Sequence, residues 1–172
     1  ENRGVIPTEL RSQFDGWVFG CDECLTSCPV GGRSRTDETH ADLSAKSVED
    51  ASPALVPLLS LTDEEFVERF RGRAIMRAKR DGLVRNACIA LGNTGTAADI
   101  EALAGALTDR SAIVRGHAAW ALGQLGLRHG TRAVAATGLS SRLNQEDDGW
   151  VRMEIAAALG RLREVGERGS GL

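Results

Sequence analysis

The sequence predicts a mostly α-helical chain in which a short cysteine-bearing segment precedes a solenoid of helical hairpins. Two of the observations behind this prediction are motifs: a tight cluster of cysteines near the start, and a motif that recurs at regular intervals further on. The third is composition. Hydrophobic residues make up 42% of the 172 residues, aromatic residues only 4%, and tyrosine is absent. A chain rich in alanine, leucine and glycine favours close helix–helix packing over a β-sandwich.

Three cysteines lie within eight residues, in the run Cys21-Asp-Glu-Cys24-Leu-Thr-Ser-Cys28-Pro29. The spacing C-x2-C-x3-C-P is the second half of a bacterial iron–sulfur signature, whose first cysteine would fall where this chain has Val18. In two-cluster proteins with that signature, the last cysteine serves the other cluster. Cys21 and Cys24 are therefore predicted to bind one cluster, and Cys28 a second cluster whose other ligands lie upstream.

Zinc is the alternative metal for this segment, with His40 as a conceivable fourth ligand. Structural zinc sites usually combine two cysteine knuckles or end in paired histidines, and the sequence has no second knuckle. Cys88 lies between Ala87 and Ile89 in a helical pattern, so we interpret it as a small buried hydrophobe. Four cysteines without a secretory signal favour a reducing compartment, which predicts a cytoplasmic protein.

Polarity and periodicity divide the chain into four predicted parts. Residues 1–32 form the cysteine-bearing segment, and the polar, aperiodic residues 33–52 form a linker. Helical periodicity predicts a repeat domain over 53–165, and 166–172 are predicted to be a disordered tail. No apolar run approaches the roughly 18 residues of a membrane span, so no membrane partner is expected. Because the chain begins with Glu1 rather than Met, we expect the natural start to lie upstream.

The repeat domain contains three copies of a motif that begins with Val-Arg and ends with Leu-Gly. The copies span residues 84–92, 114–123 and 151–160, and their valines are 30 and 37 residues apart. This period, with an alanine-rich second helix, is typical of HEAT-like helical hairpins. The closing glycines are predicted to end their helices in left-handed caps. A capping-box pattern, Thr62-Asp-Glu-Glu65, predicts a helix start before the first copy.

Basic residues are concentrated between Arg69 and Arg85, although the chain as a whole has a net charge of −3. This stretch holds seven basic residues and one acidic residue, so it carries +6 and the rest of the chain −9. A local positive surface on an acidic protein indicates a binding site for phosphates, and a solvated helix face is the alternative. The arginine after each repeat valine is predicted to pair with an aspartate of a neighbouring repeat. A cationic ladder for phosphates is the second possibility.

These motifs together resemble the epoxyqueuosine reductase family, over nearly all of residues 1–165 and in the same order. The segments that carry the resemblance are Ile6-Pro7-Thr-Glu-Leu10-Arg11, Gly20 to Pro29, Gly72 to Arg80, Gly82 to Asn86, Ala90 to Asn93, and Arg115 to Gly123.

The resemblance implies the carboxy-terminal portion of an oxidoreductase. It would consist of a partial ferredoxin-like iron–sulfur segment, half of a domain with two 4Fe–4S clusters, followed by a HEAT-like α-helical solenoid. Family members reduce epoxyqueuosine to queuosine in tRNA, using cobalamin in an amino-terminal domain and electrons from a donor. The upstream half, with the catalytic residues, is absent, so the fragment alone is expected to be inactive.

The resemblance also implies site residues and a partner. The metal ligands would be Cys21, Cys24 and Cys28, and the partner would be the tRNA anticodon arm. The expected nucleic-acid contacts are Arg71, Arg73, Arg77, Lys79, Arg80, Arg85 and Arg115. The alternative from another class is a non-catalytic HEAT-like binding module with a vestigial or zinc-bearing cysteine loop, which predicts a colourless protein without iron.

Overall fold

The computed structural model describes residues 2–21, 23–30 and 52–168, with side chains described up to Glu164. The described residues are mostly helical and include no β-strand, as the sequence predicts. None of the helices in these ranges has the length and apolar character of a membrane span. The predicted linker lies outside the described residues except for Ser52, and His40 and residues 169–172 also lie outside them.

The amino-terminal part contains short helices. Helix α1 spans Thr8–Arg11 and is followed by a 3-10 helix at Ser12–Phe14, and α2 spans Glu23–Thr26. The chain divides into two compact units, one made of Glu1–Phe19 with Leu55–Leu172 and the other of Gly20–Ala54. The residues before the cysteines therefore belong with the repeats, which differs from the predicted division after residue 32.

The repeat region is a series of helices joined by short connections. In chain order they are α3 at Leu55–Leu59, α4 at Asp63–Phe70, a 3-10 helix at Ala74–Ala78, α5 at Lys79–Thr94, a 3-10 turn at Ala97–Asp99, α6 at Ile100–Ala106, α7 at Ala112–Arg128, α8 at Arg132–Leu143 and α9 at Gly149–Arg168. Helix α9 continues through Arg168, so the first three residues of the predicted tail are helical.

Helix α4 begins at the predicted capping box. The backbone N–H of Glu65 donates to Thr62 Oγ1 at 3.1 Å, and the backbone N–H of Thr62 donates to Glu65 Oε2 at 2.8 Å. The hydroxyl and the carboxylate thus satisfy two donors that a helix start leaves unpaired. On the inner face of this helix, Phe66 and Phe70 are buried with ring centroids 5.4 Å apart.

The three sequence motifs form α5, α7 and α9, and α7 packs against both of the others. Helices α6 and α8 precede α7 and α9 and complete two hairpins. The hydrophobic core runs continuously through these helices, with Leu91, Leu122 and Leu159 all buried. A stack of this kind buries a core that no single hairpin could bury alone.

The closing glycines of the motifs have a role other than the predicted caps. Gly92, Gly123 and Gly160 all lie inside their helices, with at least two further residues before the helix end. A Cβ at Gly92 would lie 2.5 Å from Trp120 Cζ3, and one at Gly123 would lie 3.0 Å from the Cβ of Ala158. These two glycines therefore allow consecutive second helices to approach each other closely.

Candidate nucleic-acid interface and cysteine segment

Residues 2–18, which we call the strap, lie along the second helices of all three repeats. Asn86, His117 and Glu154 occupy the same position in their repeats, five residues before the leucine of each Leu-Gly pair. The side chain of Asn86 donates to Val18 O at 2.7 Å, and His117 Nε2 accepts from the backbone N–H of Ile6 at 3.2 Å. The third position, Glu154, binds an arginine side chain of the strap.

That arginine, Arg11, is 0% exposed. Its Nη1 and Nη2 donate to the two carboxylate oxygens of Glu154 at 2.8 and 2.6 Å, and its Nε donates to Ile6 O at 2.9 Å. The guanidinium also lies 5.6 Å from the ring centroid of Trp120. A buried charge is tolerated only when it is paired and hydrogen-bonded, and Arg11 meets both conditions.

His117, in the second of the three repeats, binds the strap as a neutral side chain. Its pKa is lowered to about 3, mainly by burial, and the charges of Arg11 and Arg85 act in the same direction. Its Nδ1 lies 2.7 Å from Ile113 O, a distance that places the proton on Nδ1 and leaves Nε2 as the acceptor for Ile6. Neither nitrogen is therefore available for catalysis or for metal binding.

Arg85, a predicted nucleic-acid contact, holds the strap instead. It is 4% exposed, and its Nη1 and Nη2 donate to the backbone carbonyls of Gly4 and Asn2. The first motif is one residue shorter between valine and leucine than the other two. One residue rotates a helical position by about 100°, so Arg85 points in a different direction from Arg115 and Arg152.

Arg80 and Arg115, also predicted as nucleic-acid contacts, join consecutive repeats. Arg80 donates from Nη1 to Asp109 at 2.8 Å, and Arg115 donates from Nε and Nη2 to Glu146, each at 2.8 Å. The predicted pairing between repeats is therefore confirmed for Arg115, with a glutamate in place of the aspartate. Arg152 donates to backbone carbonyls, those of Leu143 and Glu146.

Four predicted contacts remain on the surface: Arg71, Arg73, Arg77 and Lys79 are exposed. Arg77 lies in the 3-10 helix that leads into α5, and the other three lie just before or after it. Lys79 has a φ of +60° and a ψ of 166°, a backbone region that is costly for any residue with a Cβ. Arg77 lies 5.9 Å from the ring centroid of Phe19. This group of exposed cations is here called the basic edge.

The cysteines of the segment differ in their exposure to solvent. Cys21 and Cys24 are exposed thiols, Cys28 is half-buried, and α2 carries the middle one. Within residues 2–21, 23–30 and 52–168, no group of three or more potential ligands is placed to hold a metal ion. Cys88 is fully buried and burial raises the pKa of its thiol, which confirms it as a core residue. A cluster would need ligands beyond these three thiols.

The described fold is that of a helical repeat protein, and the comparison with known families agrees. The model of HEAT repeats matches residues 72–160, so the chain belongs to the HEAT-repeat family. It is 38% identical over 130 residues to an epoxyqueuosine reductase of Xanthomonas campestris, an alignment that covers 74% of this chain and 36% of the relative. It is 29% identical over 173 residues to the epoxyqueuosine reductase of Bacillus subtilis, covering 100% of this chain and 43% of the relative.

A solved structure shows the same relationship. A crystal structure of epoxyqueuosine reductase with an epoxyqueuosine-modified stem loop of tyrosine tRNA matches with a TM-score of 0.83 and 29% identity, covering 94% of this chain and 42% of that chain. The resemblance inferred from the sequence is therefore confirmed. The chain is homologous to epoxyqueuosine reductases and spans less than half of the length of the curated relatives named above.

Proposed function

We propose that this chain is part of an epoxyqueuosine reductase, in which the repeats bind tRNA and the cysteines serve iron–sulfur clusters. The main support is the match over 94% of the chain to a reductase structure that contains a tRNA stem loop. In this role the protein acts in the cytoplasm on the anticodon arm. The catalytic residues and the cobalamin-binding domain are proposed to lie in the portion of the relatives that this chain does not span.

The basic edge is the proposed phosphate-binding surface. Arg71, Arg73, Arg77 and Lys79 are exposed. Arg80 and Arg85 are buried and Arg115 is paired with the buried Glu146, so these three are excluded from the proposal. Phosphate contacts would fix the orientation of the tRNA without reading its sequence. If all four exposed cations neutralise phosphates, the logarithm of the binding constant should fall with the logarithm of salt concentration with a slope of about −3.

Neutralising half of the basic edge tests this surface. In the full-length protein, Arg71→Gln combined with Lys79→Gly should reduce the salt slope by about 1.5 units, because two phosphate contacts are lost. The measurement is fluorescence anisotropy of a labelled anticodon stem loop at a series of salt concentrations. Arg163→Gln, on the exposed side of α9, is the control and should leave the slope unchanged. A double variant with the wild-type slope would contradict the proposed surface.

The cysteine segment is the proposed contribution to two 4Fe–4S clusters. When bound, such clusters supply single electrons for the reduction, and an external donor must replenish them. This chain would provide the thiolates of Cys21, Cys24 and Cys28, and the remaining ligands would come from upstream. The exposed thiols of Cys21 and Cys24 can reach an incoming cluster, whereas the buried Cys88 cannot.

Iron content separates the proposed role of the cysteines from a purely structural one. Cys28→Ser in the full-length protein should lose iron after anaerobic reconstitution, measured as the iron-to-protein ratio and as visible absorbance. Cys88→Ala, which changes a buried core position, is the control and should retain the iron of the wild type. Equal iron in the Cys28 variant would remove Cys28 from the ligand set.

A second candidate function is a non-catalytic HEAT-like binding module with a vestigial or zinc-bearing loop. It is favoured by one observation, that the described residues bring no three potential ligands together. This candidate predicts a colourless full-length protein that contains no iron after reconstitution, so the same measurement distinguishes the two functions.

A further inference from the structure

A second arginine, Arg161, is influenced by both charges of the Arg11–Glu154 pair, and two of its guanidinium nitrogens have no hydrogen-bond partner among the described residues. Arg161 follows Glu154 by two turns of α9, and its Nε and Nη2 are buried. None of the described residues accepts a hydrogen bond from either atom. Its Nη2 lies 3.8 Å from where a Cβ would be at Gly123, so the guanidinium packs beside α7. An orphaned donor on a buried charged group is costly and requires an explanation.

The three charged groups influence each other. Burial lowers the pKa of Arg161 and the charge of Glu154 raises it; the charge of Arg11 also lowers it, and that of Glu164 raises it least. The fully buried Arg11 and the half-buried Arg161 therefore both interact with Glu154. Both oxygens of that carboxylate are bound by Arg11 while the strap is in place.

We propose that Arg161 is the reserve partner of Glu154, which takes over the carboxylate when Arg11 leaves and so makes the strap a releasable latch. Seven residues of helix span about 10.5 Å, and helical side chains lean toward the amino terminus. Arg161 therefore leans toward Glu154, whose charge already acts on its pKa. The exchange removes the penalty that normally follows when one partner of a buried ion pair is withdrawn.

Release of the strap would expose the hydrogen-bonding side chains of the repeats that now bind it. Asn86, His117 and Arg85 form hydrogen bonds with backbone atoms of the strap. In the third repeat, Glu154 instead binds a side chain of the strap, that of Arg11. The strap ends immediately before Phe19 and Gly20, and Gly20 has a φ of +63°. The inference stands independently of the proposed enzymatic function, because it concerns only the repeats and residues 2–18.

A double-mutant cycle tests the exchange through the opening of the strap. The readout is native-state hydrogen exchange of the Ile6 amide, which is bonded to His117, in the full chain. With Arg11 present, Arg161→Met should slow opening by about fivefold or more, because the orphaned charge disappears and Glu154 loses its reserve partner. With Arg11→Met in the background, the same change should accelerate opening, because a buried Glu154 is then left without any cation. The sign of the effect should therefore reverse.

Arg163→Met, on the exposed side of the same helix, is the control and should change opening in neither background. An effect of Arg161→Met with the same sign in both backgrounds would overturn the proposal. If the double variant does not fold, Arg11→Met alone decides the question. The Nε–H of Arg161 should then exchange about tenfold more slowly than in the wild type, because it gains Glu154. An unchanged rate would count against the latch.

Discussion

At the scale of single residues, glycines determine how closely the repeats pack. The indole of Trp150, from the third repeat, lies directly against Gly116 in the second. The indole of Trp120 lies against Gly92 in the first repeat in the same manner, where a Cβ would be 2.5 Å away. Each of these aromatic rings therefore occupies the space that a side chain at the glycine of the preceding repeat would fill. Dense packing of this kind leaves no space for even one added methyl group.

Adding that methyl group should have opposite effects at two glycines. Gly116→Ala should lower the free energy of unfolding by about 1–3 kcal/mol, because the ring of Trp150 must move. Gly160→Ala is the matched control, since no atom lies within 4 Å of the added Cβ. It should raise stability by about 0.5–1 kcal/mol, because alanine is the better helix former. Urea unfolding measures both, and equal effects at the two sites would contradict the packing role.

At the scale of elements, consecutive second helices are connected by an arginine and a carboxylate. Glu146, 2% exposed, lies in the turn before α9 and accepts hydrogen bonds from Arg115, from Arg142 and from the backbone N–H of Asp148. Hydrogen bonds from Arg115 are the main reason that its pKa is lowered to about 2. Asp109 receives Arg80 in the same way at the preceding junction, where its pKa is also lowered.

The lowered pKa of Glu146 predicts a pH dependence with a definite sign. A carboxyl group whose pKa is lower in the folded state stabilises the protein above its unfolded pKa of 4.5, and this contribution is lost as pH falls toward 2. Glu146→Gln should therefore be less stable than the wild type at pH 7, by on the order of 3 kcal/mol. The difference should shrink between about pH 4.5 and 2. Thermal unfolding measured across this range checks it; a difference that stays constant with pH would show that the charge of Glu146 is not responsible.

At the scale of the whole molecule, the strap makes residues 2–18 part of the repeat core. Its bonds reach each of the three second helices, through Asn86, His117 and Glu154. Ile6 is 4% exposed and belongs to the same hydrophobic cluster as the repeat leucines. The strap should therefore contribute to the stability of all three repeats.

Removing the strap should weaken the entire repeat stack. Deletion of residues 1–19 leaves the buried groups of three helices without partners, so the midpoint of thermal unfolding should fall by about 10 °C or more. Circular dichroism and calorimetry measure the midpoint and its cooperativity. Leu10→Ser, which changes an exposed side chain of the strap, is the control and should leave the midpoint within about 2 °C. A deletion variant with an unchanged midpoint would show that the strap contributes nothing to the core.

The helical class, the capping box and the repeats could be predicted because their signals are local or periodic. Thr62 and Glu65 bond within one turn, and the motifs recur in the order in which they stack. The role of Arg85 could not be predicted in this way, because a one-residue difference in spacing turns it toward a segment far away in the sequence. The strap itself has no periodicity, and its bonds join residues up to 143 positions apart. For the candidate site, charge alone could not separate the exposed Arg71 from the buried Arg80.

The strap also has a consequence for the order in which the chain folds during synthesis. Repeat proteins ordinarily fold through contacts between neighbours, so each hairpin can settle soon after it is made. Here Arg11 must wait for Glu154, which follows it by 143 residues. At about 5–20 residues per second, the ribosome needs roughly 7–30 s to make that length of chain. Throughout that interval the strap carries an unpaired arginine and an uncovered isoleucine, which leaves it open to chaperone binding.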